Sequence, residues 1–338
     1  MPELRQDIVT GQWVVVAAER AKRPTDFTRP PRPEAEDRET CPFCPGNELM
    51  TPLETLAVRP TGSEPNTPGW SVRVVPNKFP AFESGGPPVS GTALFQRRNA
   101  EGIHEVIIHG PDHDASLAAL EPDHVELILR VYRQRYRAHR ENRSIRYLHY
   151  IINHGREAGA SREHSHSQLF GVPLVPPLVH QELAGASWHH TSRGECVFCR
   201  IISEEMDGVR RVVLRTKKYV VIAPFASRLP FELWVLPREH QESFDMIDDE
   251  QLEDLAHVMK DVLGRYRDGF DDPPYNAYLH TSPCDGTEYP YYHWHFELIP
   301  KLTTPGGFEM GTSMWINVTT PEDASDFLSG RAQGAPGL

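Results

Sequence analysis

The hydrophobic residues of this chain fall into two series with the same order of predicted elements. Each series has a short apolar run typical of a buried strand, at 72–75 and at 219–222. A second predicted strand follows in each, at 105–113 and at 232–240. An amphipathic helix comes next, because apolar residues then recur with the period of an α-helix. These residues are Val125, Ile128, Leu129, Tyr132 and Tyr136 in the first series, and Leu252, Leu255, Ala256, Met259 and Leu263 in the second.

Matching polar motifs accompany the two series. Each series starts with a C-x-x-C pair and ends with an H-x-H motif on a further predicted strand, and its second strand starts with Glu and ends with His. So many shared features indicate a duplication. The predicted fold class is α+β, with two duplicated halves, each an antiparallel sheet with packed helices. We expect the domains to be 1–177 and 178–338, joined near the proline-rich segment around Pro176.

Composition and charge narrow the possible functions. The 338 residues include 35 Lys and Arg against 47 Asp and Glu, which gives a formal net charge of −12. That balance disfavours a protein that binds nucleic acid by neutralising its phosphates. No apolar run approaches the length of a membrane span, and the N-terminus lacks the layout of a secretory signal. We therefore expect a cytoplasmic protein that binds neither nucleic acid nor membrane.

Cysteines and histidines form two candidate zinc sites. In each half, the C-x-x-C pair, the His at the strand end and the first His of H-x-H supply the ligands of a closed tetrahedral zinc site. The first set is Cys41, Cys44, His113 and His164, and the second is Cys196, Cys199, His240 and His293. His109 is an alternative to His113, although only His113 aligns with His240. Iron is an alternative to zinc in the second site, and buried cysteines with unrelated histidines are the alternative to both sites.

The H-S-H-S-Q motif carries the candidate chemistry. Residues two apart on a strand face the same side, so His164, His166 and Gln168 line one face. A metal on His164 would place His166 rigidly beside it, and a neutral imidazole can attack phosphorus and carry a phosphoryl-type group. Gln168 can donate an amide hydrogen to a phosphoryl oxygen as charge develops. A solvated strand edge is the alternative interpretation of the motif.

At these residues the chain resembles the galactose-1-phosphate uridylyltransferases of the histidine-triad superfamily. The matching segments extend over nearly the whole sequence: TGQWVVVAAERAKRP, CPFC, VPNKFPAF, GPDH, NHGREAGAS, REHSHSQ, HWHFELIP and GGFEMGT. The resemblance implies two histidine-triad-like halves and a ping-pong transfer of UMP from UDP-glucose to galactose 1-phosphate. It also implies a covalent nucleotidyl group on His166 and a phosphoryl contact from Gln168.

The resemblance further implies a set of substrate-binding residues. Arg20 and Arg23 match arginines that reach the substrate phosphate from the partner subunit of a homodimer with shared active sites. The other matching positions are Asn77, Phe79, Asn153, Gly159, Ala160, Ser161, Phe308 and Glu309. Independently of the resemblance, the small residues at 158–161 allow backbone N–H groups and the Ser161 hydroxyl to approach a phosphate.

Several positions depart from the best-known uridylyltransferases. This chain has Ser165 and Ser167 where they have proline and glycine, Lys78 where they have aspartate, and no lysine ahead of Phe308 and Glu309. HSHSQ and the second C-x-x-C are closer to the ADP-glucose phosphorylases, which transfer adenylyl from ADP-glucose to inorganic phosphate through the same histidine. A phosphorylase of ADP-glucose, or of another nucleotide sugar, is therefore the alternative function. A zinc-knuckle binding module is a remote third possibility, which the negative charge disfavours.

Overall fold

The fold is taken from a computed structural model of the chain, which describes residues 1–18, 37–60 and 62–331. Arg20 and Arg23 lie outside the described residues. The strands are β1 (Glu3–Gln6), β2 (Trp13–Val16), β3 (Leu56–Val58), β4 (Val72–Pro76), β5 (Ile103–Ile108), β6 (Tyr147–His154), β7 (His166–Val172), β8 (Val212–Arg215), β9 (Tyr219–Ile222), β10 (Leu233–Pro237), β11 (Tyr275–His280), β12 (His295–Pro300) and β13 (Trp315–Asn317). The α-helices are α1 (Pro122–His139), α2 (Pro177–Arg193), α3 (Val197–Gly208), α4 (Asp249–Phe270), α5 (Gly307–Thr312) and α6 (Pro321–Leu328).

Ten strands form one antiparallel sheet in the order β3-β4-β5-β7-β6-β11-β12-β10-β9-β8. The first half contributes β3-β4-β5-β7-β6, and the second half repeats this order as β8-β9-β10-β12-β11. The halves meet where β6 pairs with β11, from His154 opposite Tyr275 to Ile151 opposite Tyr278. The repeated order confirms the predicted α+β class with duplicated antiparallel halves. The shared sheet also places side chains of both halves next to each other at the β6–β11 junction.

Helices α1 and α4 cover one face of the sheet. All the apolar residues predicted for the two helices are buried, and they share one hydrophobic core with strand residues such as Leu169 and Phe296. Pro122 occupies the first turn of α1, where its missing N–H has no intrahelical partner to lose. Asp248 caps α4 by accepting from the N–H of Gln251. The two amphipathic helices are therefore confirmed.

Helices α2 and α3 lie on the other face and were not predicted. Helix α2 follows Pro176 directly and packs Val179 and Leu183 into a second core. Its buried positions also include a carboxylate and an imidazole, which blur the apolar period that reveals α1 and α4. The second C-x-x-C lies at the start of α3, with Cys196 as the N-cap residue, whereas the first lies in a turn.

A small sheet of β1, β2 and β13 joins the two ends of the described chain. Strand β13 pairs parallel with β2, so residues of the last segment lie against the first. Arg5 also forms an ion pair with Glu322 at 3.0 Å. The first half thus packs on the second through this sheet as well as through β6 and β11, and the division at 177/178 remains a prediction. In the part of the chain that the structure describes, no helix combines the length and the apolar character needed to cross a bilayer.

Candidate active site and metal sites

The first C-x-x-C turn gathers four potential metal ligands. The N–H of Cys44 donates to the carbonyl of Cys41 at 3.3 Å, which closes the turn. His113 Nδ1 lies 3.2 Å from Cys44 Sγ, and His164 Nδ1 lies 3.7 Å from Cys41 Sγ. Tetrahedral zinc, with bonds of about 2.3 Å to sulfur and about 2.0 Å to nitrogen, spaces its ligand atoms by roughly 3.3–3.8 Å. The cluster therefore fits a zinc ion.

The outer nitrogens of the histidines support this geometry. His164 Nε2 donates to the carbonyl of Gly110 at 2.8 Å, which leaves the lone pair on Nδ1, toward the cysteines. Burial lowers the pKa of His164 and so favours the neutral, metal-binding form. The structure places His113, and not His109, in the cluster, because His109 Nδ1 lies 2.9 Å from Ser165 Oγ instead.

The second cluster is built in the same way. Cys199 Sγ lies 3.4 Å from His240 Nδ1 and 3.6 Å from His293 Nδ1. The outer nitrogens again donate to carbonyls, His240 Nε2 to Pro290 at 3.0 Å and His293 Nε2 to Pro237 at 2.9 Å. These ligand atoms, with the Cys196 sulfur, all lie within 4.8 Å of one another.

The two sulfurs of the second cluster interact strongly. A hydrogen bond from Cys199 lowers the pKa of the Cys196 thiol, and the same bond raises the pKa of Cys199. A divalent cation between the sulfurs would stabilise both thiolates, so metal binding at this cluster should release a proton.

A chelator should remove metal from the second cluster before the first. All four ligands of the first cluster are buried, whereas His240 is exposed and Cys199 is half-buried. We expect zinc-loaded protein to release metal in two phases that differ in rate by about tenfold or more. A chromogenic chelator measures both phases. Cys199→Ser should lose the fast phase and Cys44→Ser the slow one, and the reverse assignment would contradict the prediction.

His166 is held by the first cluster at two points. Its Nδ1 donates to the carbonyl of His164 at 2.9 Å, so the lone pair of the neutral ring is on Nε2. The edge of Phe43, from within the C-x-x-C turn, contacts the imidazole with ring centroids 5.2 Å apart. The side chain is only 7% exposed. The C-x-x-C turn, through Phe43, and the His164 carbonyl therefore fix the position and the tautomer of this histidine.

Two carboxamides lie next to His166 with their oxygens already bonded. Gln168 Oε1 is 2.8 Å from His104 Nε2, and Asn153 Oδ1 accepts from Asn276 Nδ2 at 2.8 Å. Asn153 follows the pair in which Ile152 faces Ser167, and so it reaches the position beside His166. Among the described residues, no protein acceptor takes the NH₂ group of either carboxamide. Both groups can therefore donate to a bound anion.

The 158–161 loop is anchored to the second half of the chain. Asn276 Nδ2 also donates to the carbonyl of Ala158 at 2.7 Å. Gly155 and Gly159 have φ angles of 80° and 87°, which favour glycine. A Cβ on Gly155 would lie 2.8 Å from Pro274. The loop thus runs close to β11, with Ala160 buried and Ser161 exposed at its end.

The remaining predicted substrate residues are spread more widely. Asn77 Oδ1 accepts from the N–H of Phe79 at 2.9 Å, and Asn77 Nδ2 lies 3.1 Å from His104 Nε2. The ring of Phe79 is exposed. Phe308 and Glu309 lie on α5, where Glu309 accepts from the N–H that starts the helix. In the described part of the chain, neither Phe308 nor Glu309 hydrogen-bonds to Gln168 or Asn153.

The second half keeps the histidine geometry but changes its surroundings. His295 Nδ1 donates to the carbonyl of His293 at 3.1 Å, as His166 does to His164. Glu297 stands where the first half has Gln168, and it accepts from the hydroxyl of Tyr278 at 2.7 Å. It also forms a buried ion pair with Arg228. A carboxylate that is bonded in this way offers no hydrogen to an anion.

A third cluster of potential ligands surrounds His295. It consists of Glu182, His280, His295 and Glu297, all buried, with ligand atoms within 4.8 Å of one another. His280 Nδ1 lies 2.9 Å from Glu182 Oε1, and His295 Nε2 lies 3.6 Å from Glu297 Oε1. Burial opposes both shifts, but the attraction between His280 and Glu182 raises the pKa of His280 and lowers the pKa of Glu182. Carboxylate and imidazole groups also suit a divalent metal ion.

Two protein-family models match this chain, one in each half. The model of the galactose-1-phosphate uridyl transferase N-terminal domain matches residues 1–176, and that of the C-terminal domain matches residues 184–316. The chain belongs to the galactose-1-phosphate uridyl transferase family. The resemblance inferred from the motifs is thereby confirmed, and the chain is an enzyme of the transferase class.

Relatives in this family include two kinds of enzyme. The ADP-glucose phosphorylase of Arabidopsis thaliana is 36% identical over 335 residues, which cover 97% of this chain and 92% of the relative. The galactose-1-phosphate uridylyltransferase of Thermotoga maritima is 26% identical over 335 residues, which cover 96% and 97%. The crystal structure of the Arabidopsis thaliana phosphorylase with bound ADP-glucose has a TM-score of 0.82 at 35% identity, and covers 97% of this chain and 99% of its own. A uridylyltransferase structure has a TM-score of 0.76 at 27% identity, with 98% of each chain covered.

Four potentially functional residues of this family member were not predicted from its sequence. Glu182 lies on α2, a helix that the apolar pattern does not reveal. His280, His104 and Asn276 each pair with a residue on an adjacent strand, and strand pairing is not visible in a single sequence. One signal for His104 was present, because it precedes the repeated Glu105 and alternates with buried positions on the same predicted strand.

Proposed function

We propose that this chain transfers a nucleotidyl group from a nucleotide sugar through a covalent intermediate on His166. The observation that carries the proposal is the hydrogen bond from His166 Nδ1 to the His164 carbonyl, 2.9 Å long, beside two carboxamide NH₂ groups. This bond leaves Nε2 as the nucleophile and stabilises the positive charge that the ring gains when Nε2 forms a bond. A merely structural histidine needs no such neighbouring donors.

The proposed reaction has two displacement steps at one phosphorus atom. In the first, His166 Nε2 attacks the α-phosphorus, an N–P bond forms, and the P–O bond to glucose 1-phosphate breaks with its electron pair on the leaving oxygen. In the second, an oxygen of a phosphate acceptor attacks the same phosphorus and the N–P bond breaks, which restores neutral His166. Gln168 and Asn153 would donate to the nonbridging oxygens as charge develops on them.

Metal ions in this proposal have a structural role. Zinc bound by four protein side chains supplies folding stability and rigidity, since no coordination position remains open for substrate. Cys41, Cys44, His113 and His164 would hold it beside His166. The second cluster, of Cys196, Cys199, His240 and His293, would hold zinc or iron away from the reacting groups.

We favour ADP-glucose as donor and inorganic phosphate as acceptor. Identity to the ADP-glucose phosphorylase is 36%, against 26% to the Thermotoga maritima uridylyltransferase. One contact in the site supports the same choice. Ser165 Oγ lies 2.9 Å from His109 Nδ1, and the proline that the best-known uridylyltransferases have at this position could not form that contact.

The second candidate is the reaction that the family resemblance implies, which is transfer of UMP from UDP-glucose to galactose 1-phosphate. It is supported by the family match over both domains and by a uridylyltransferase relative that is covered over 97% of its length. Both candidates use the same attack by His166 and differ in the base and in the acceptor.

A covalent labelling experiment distinguishes the candidates. Purified protein is incubated with ADP-glucose or UDP-glucose that is labelled in the nucleobase, and protein-bound label is measured after denaturation. We expect one label per chain from ADP-glucose, discharged as labelled ADP by phosphate. Label from UDP-glucose that only galactose 1-phosphate discharges would support the second candidate. The same sugars labelled in glucose are the control, and no retained label from either nucleotide would overturn the proposal.

The homodimer and the cytoplasmic location also belong to the proposal. The family resemblance implies that Arg20 and Arg23 reach the site of the partner subunit, where their charges would bind the phosphates of the sugar nucleotide. Two guanidinium groups suit that role because each can contact phosphate oxygens with two parallel N–H bonds. The substrates would then be nucleotide sugars and a sugar phosphate or phosphate.

Replacing Asn276 with Asp should impair transfer. An Asp cannot donate to Asn153 Oδ1 or to the Ala158 carbonyl, and its carboxylate would face both oxygens. Asn153 would turn its NH₂ group toward the new carboxylate and away from the substrate. We expect the labelling rate to fall roughly ten- to a hundredfold. Tyr275→Phe, one position earlier on β11, is the control and should label normally, whereas normal labelling by Asn276→Asp would contradict the prediction.

A further inference from the structure

His104 lies directly behind Gln168 on the face of the sheet that carries His166. It faces Phe170 in the pairing of β5 with β7, and Gln168 is two residues before Phe170 on the same face. The His104 imidazole stacks on the Phe170 ring with centroids 4.1 Å apart. The side chain of His104 is 8% exposed. It is thus buried against Gln168 and Phe170.

The tautomer of His104 is fixed by the backbone. The N–H of Ala81 points at His104 Nδ1 from 3.2 Å, and a backbone N–H can only donate. Nδ1 is therefore the acceptor, and the hydrogen of the neutral ring is on Nε2. The opposite tautomer would place two donors against each other. Burial lowers the pKa of His104, which keeps the ring neutral.

Among the described residues, the hydrogen on His104 Nε2 has one acceptor within hydrogen-bond distance. Asn77 Nδ2 lies 3.1 Å away, but Asn77 Oδ1 already accepts from the N–H of Phe79, so the group toward His104 is NH₂. Gln168 Oε1, at 2.8 Å, is left as the acceptor. This bond sets which end of the Gln168 carboxamide faces His104 and therefore which end faces the substrate.

We propose that His104 is a positioning residue for nucleotidyl transfer, which holds Gln168 Oε1 so that the Gln168 NH₂ group points at the α-phosphoryl oxygens. The inference rests on the proposed function, which uses Gln168 as the donor. Without His104, the carboxamide could rotate and present its oxygen to the phosphate. That orientation repels the developing charge, so the loss should appear in the transfer step more than in substrate binding.

A double-mutant cycle tests the proposal. The variants are His104→Phe, which keeps the stacking on Phe170 but has no N–H, Gln168→Ala, and the two combined. The single-turnover rate of labelling from base-labelled ADP-glucose and the dissociation constant of the nucleotide sugar are measured for each. We expect Gln168→Ala to lose about 10²-fold or more in rate, and His104→Phe roughly ten- to a hundredfold, with the dissociation constant within a few-fold of wild type.

The combined variant tests whether His104 acts through Gln168. If His104 acts through Gln168, His104→Phe should cost almost nothing once Gln168 is Ala, because the group that it positions is gone. His104→Gln, whose NH₂ reaches toward the same oxygen, should recover part of the rate. Phe170→Leu is the matched control, since it removes the stacking and leaves the hydrogen bond. His104→Leu replaces His104→Phe in the cycle if the phenyl variant does not fold.

The outcomes separate this inference from the proposed function. An equal loss from His104→Phe in both backgrounds, or a loss confined to the dissociation constant, would overturn the positioning role while labelling of the wild-type protein still supports transfer. A wild-type protein that takes no label from either nucleotide sugar would overturn the proposed function and this inference with it.

Discussion

Replacement of His166 with Asn is expected to abolish covalent labelling, with a loss of about 10⁴-fold or more in transfer rate. An amide nitrogen has no lone pair that can attack phosphorus, whereas Asn keeps a hydrogen to donate to the His164 carbonyl. The packing against Phe43 changes little, so the melting temperature should fall by only a few degrees. Labelling from base-labelled ADP-glucose and UDP-glucose, followed by mass spectrometry of the tryptic peptides, measures the result.

His295→Asn is the matched control within the same chain. His295 donates to the preceding His293 carbonyl at 3.1 Å, as His166 does to His164 at 2.9 Å, so both substitutions remove an imidazole from equivalent positions. We expect His295→Asn to retain one label per chain on His166. Label on His295, two labels per wild-type chain, or undiminished labelling of His166→Asn would contradict the assignment.

The asymmetry between the halves follows from one side chain and its partners. Gln168 offers NH₂ to an anion, while Glu297 is an acceptor whose charge is matched by Arg228. Although burial opposes the shift, Arg228 keeps the pKa of Glu297 well below its ordinary value, so the carboxylate stays ionised. Its carboxylate accepts from Arg228 and Tyr278 and cannot itself donate. A phosphate beside His295 would therefore find no donor at the position where Gln168 offers its NH₂ group.

The sequence predicted the parts of the fold that depend on local periodicity. The strands at 72–75 and 219–222 and the two amphipathic helices were found because one face of each element is buried and the pattern of apolar residues records it. The duplication was visible because motifs recur in a fixed order. Helix α2 was not predicted because Glu182 and His189 are buried together with its apolar residues. The buried face of this helix is therefore not marked by apolar residues alone.

The sequence predicted the candidate site where function depends on neighbours along the chain. His166 and Gln168 lie two residues apart on β7, shortly after His164, so their common face could be derived. The partners that orient them could not, since His104 reaches Gln168 across β5 and β7, and Asn276 reaches Asn153 across the junction of the two halves. The pairing of strands depends on the whole fold, and no local sequence pattern predicts it.

Loss of the first metal is expected to stop transfer, whereas loss of the second should leave it largely intact. Cys44→Ser and Cys199→Ser each remove one thiolate from equivalent Cys₂His₂ clusters, so each variant should bind one metal ion fewer than the wild type by elemental analysis. Both should melt at lower temperature, by roughly 5–10 °C, because four protein ligands make metal binding part of the folding free energy.

The two variants should differ in labelling well below their melting temperatures. The first cluster includes His164, whose carbonyl accepts from His166, and encloses Phe43, whose ring contacts His166. Without its metal this turn would loosen, and the nucleophile would lose both its position and its fixed tautomer. We expect Cys44→Ser to label at least about a hundredfold more slowly.

The corresponding contacts of the second cluster are to His295, and the ring centroids of Phe198 and His295 are 5.0 Å apart. Cys199→Ser should therefore label within a few-fold of wild type. Equal labelling by both variants would show that the first metal does not position His166.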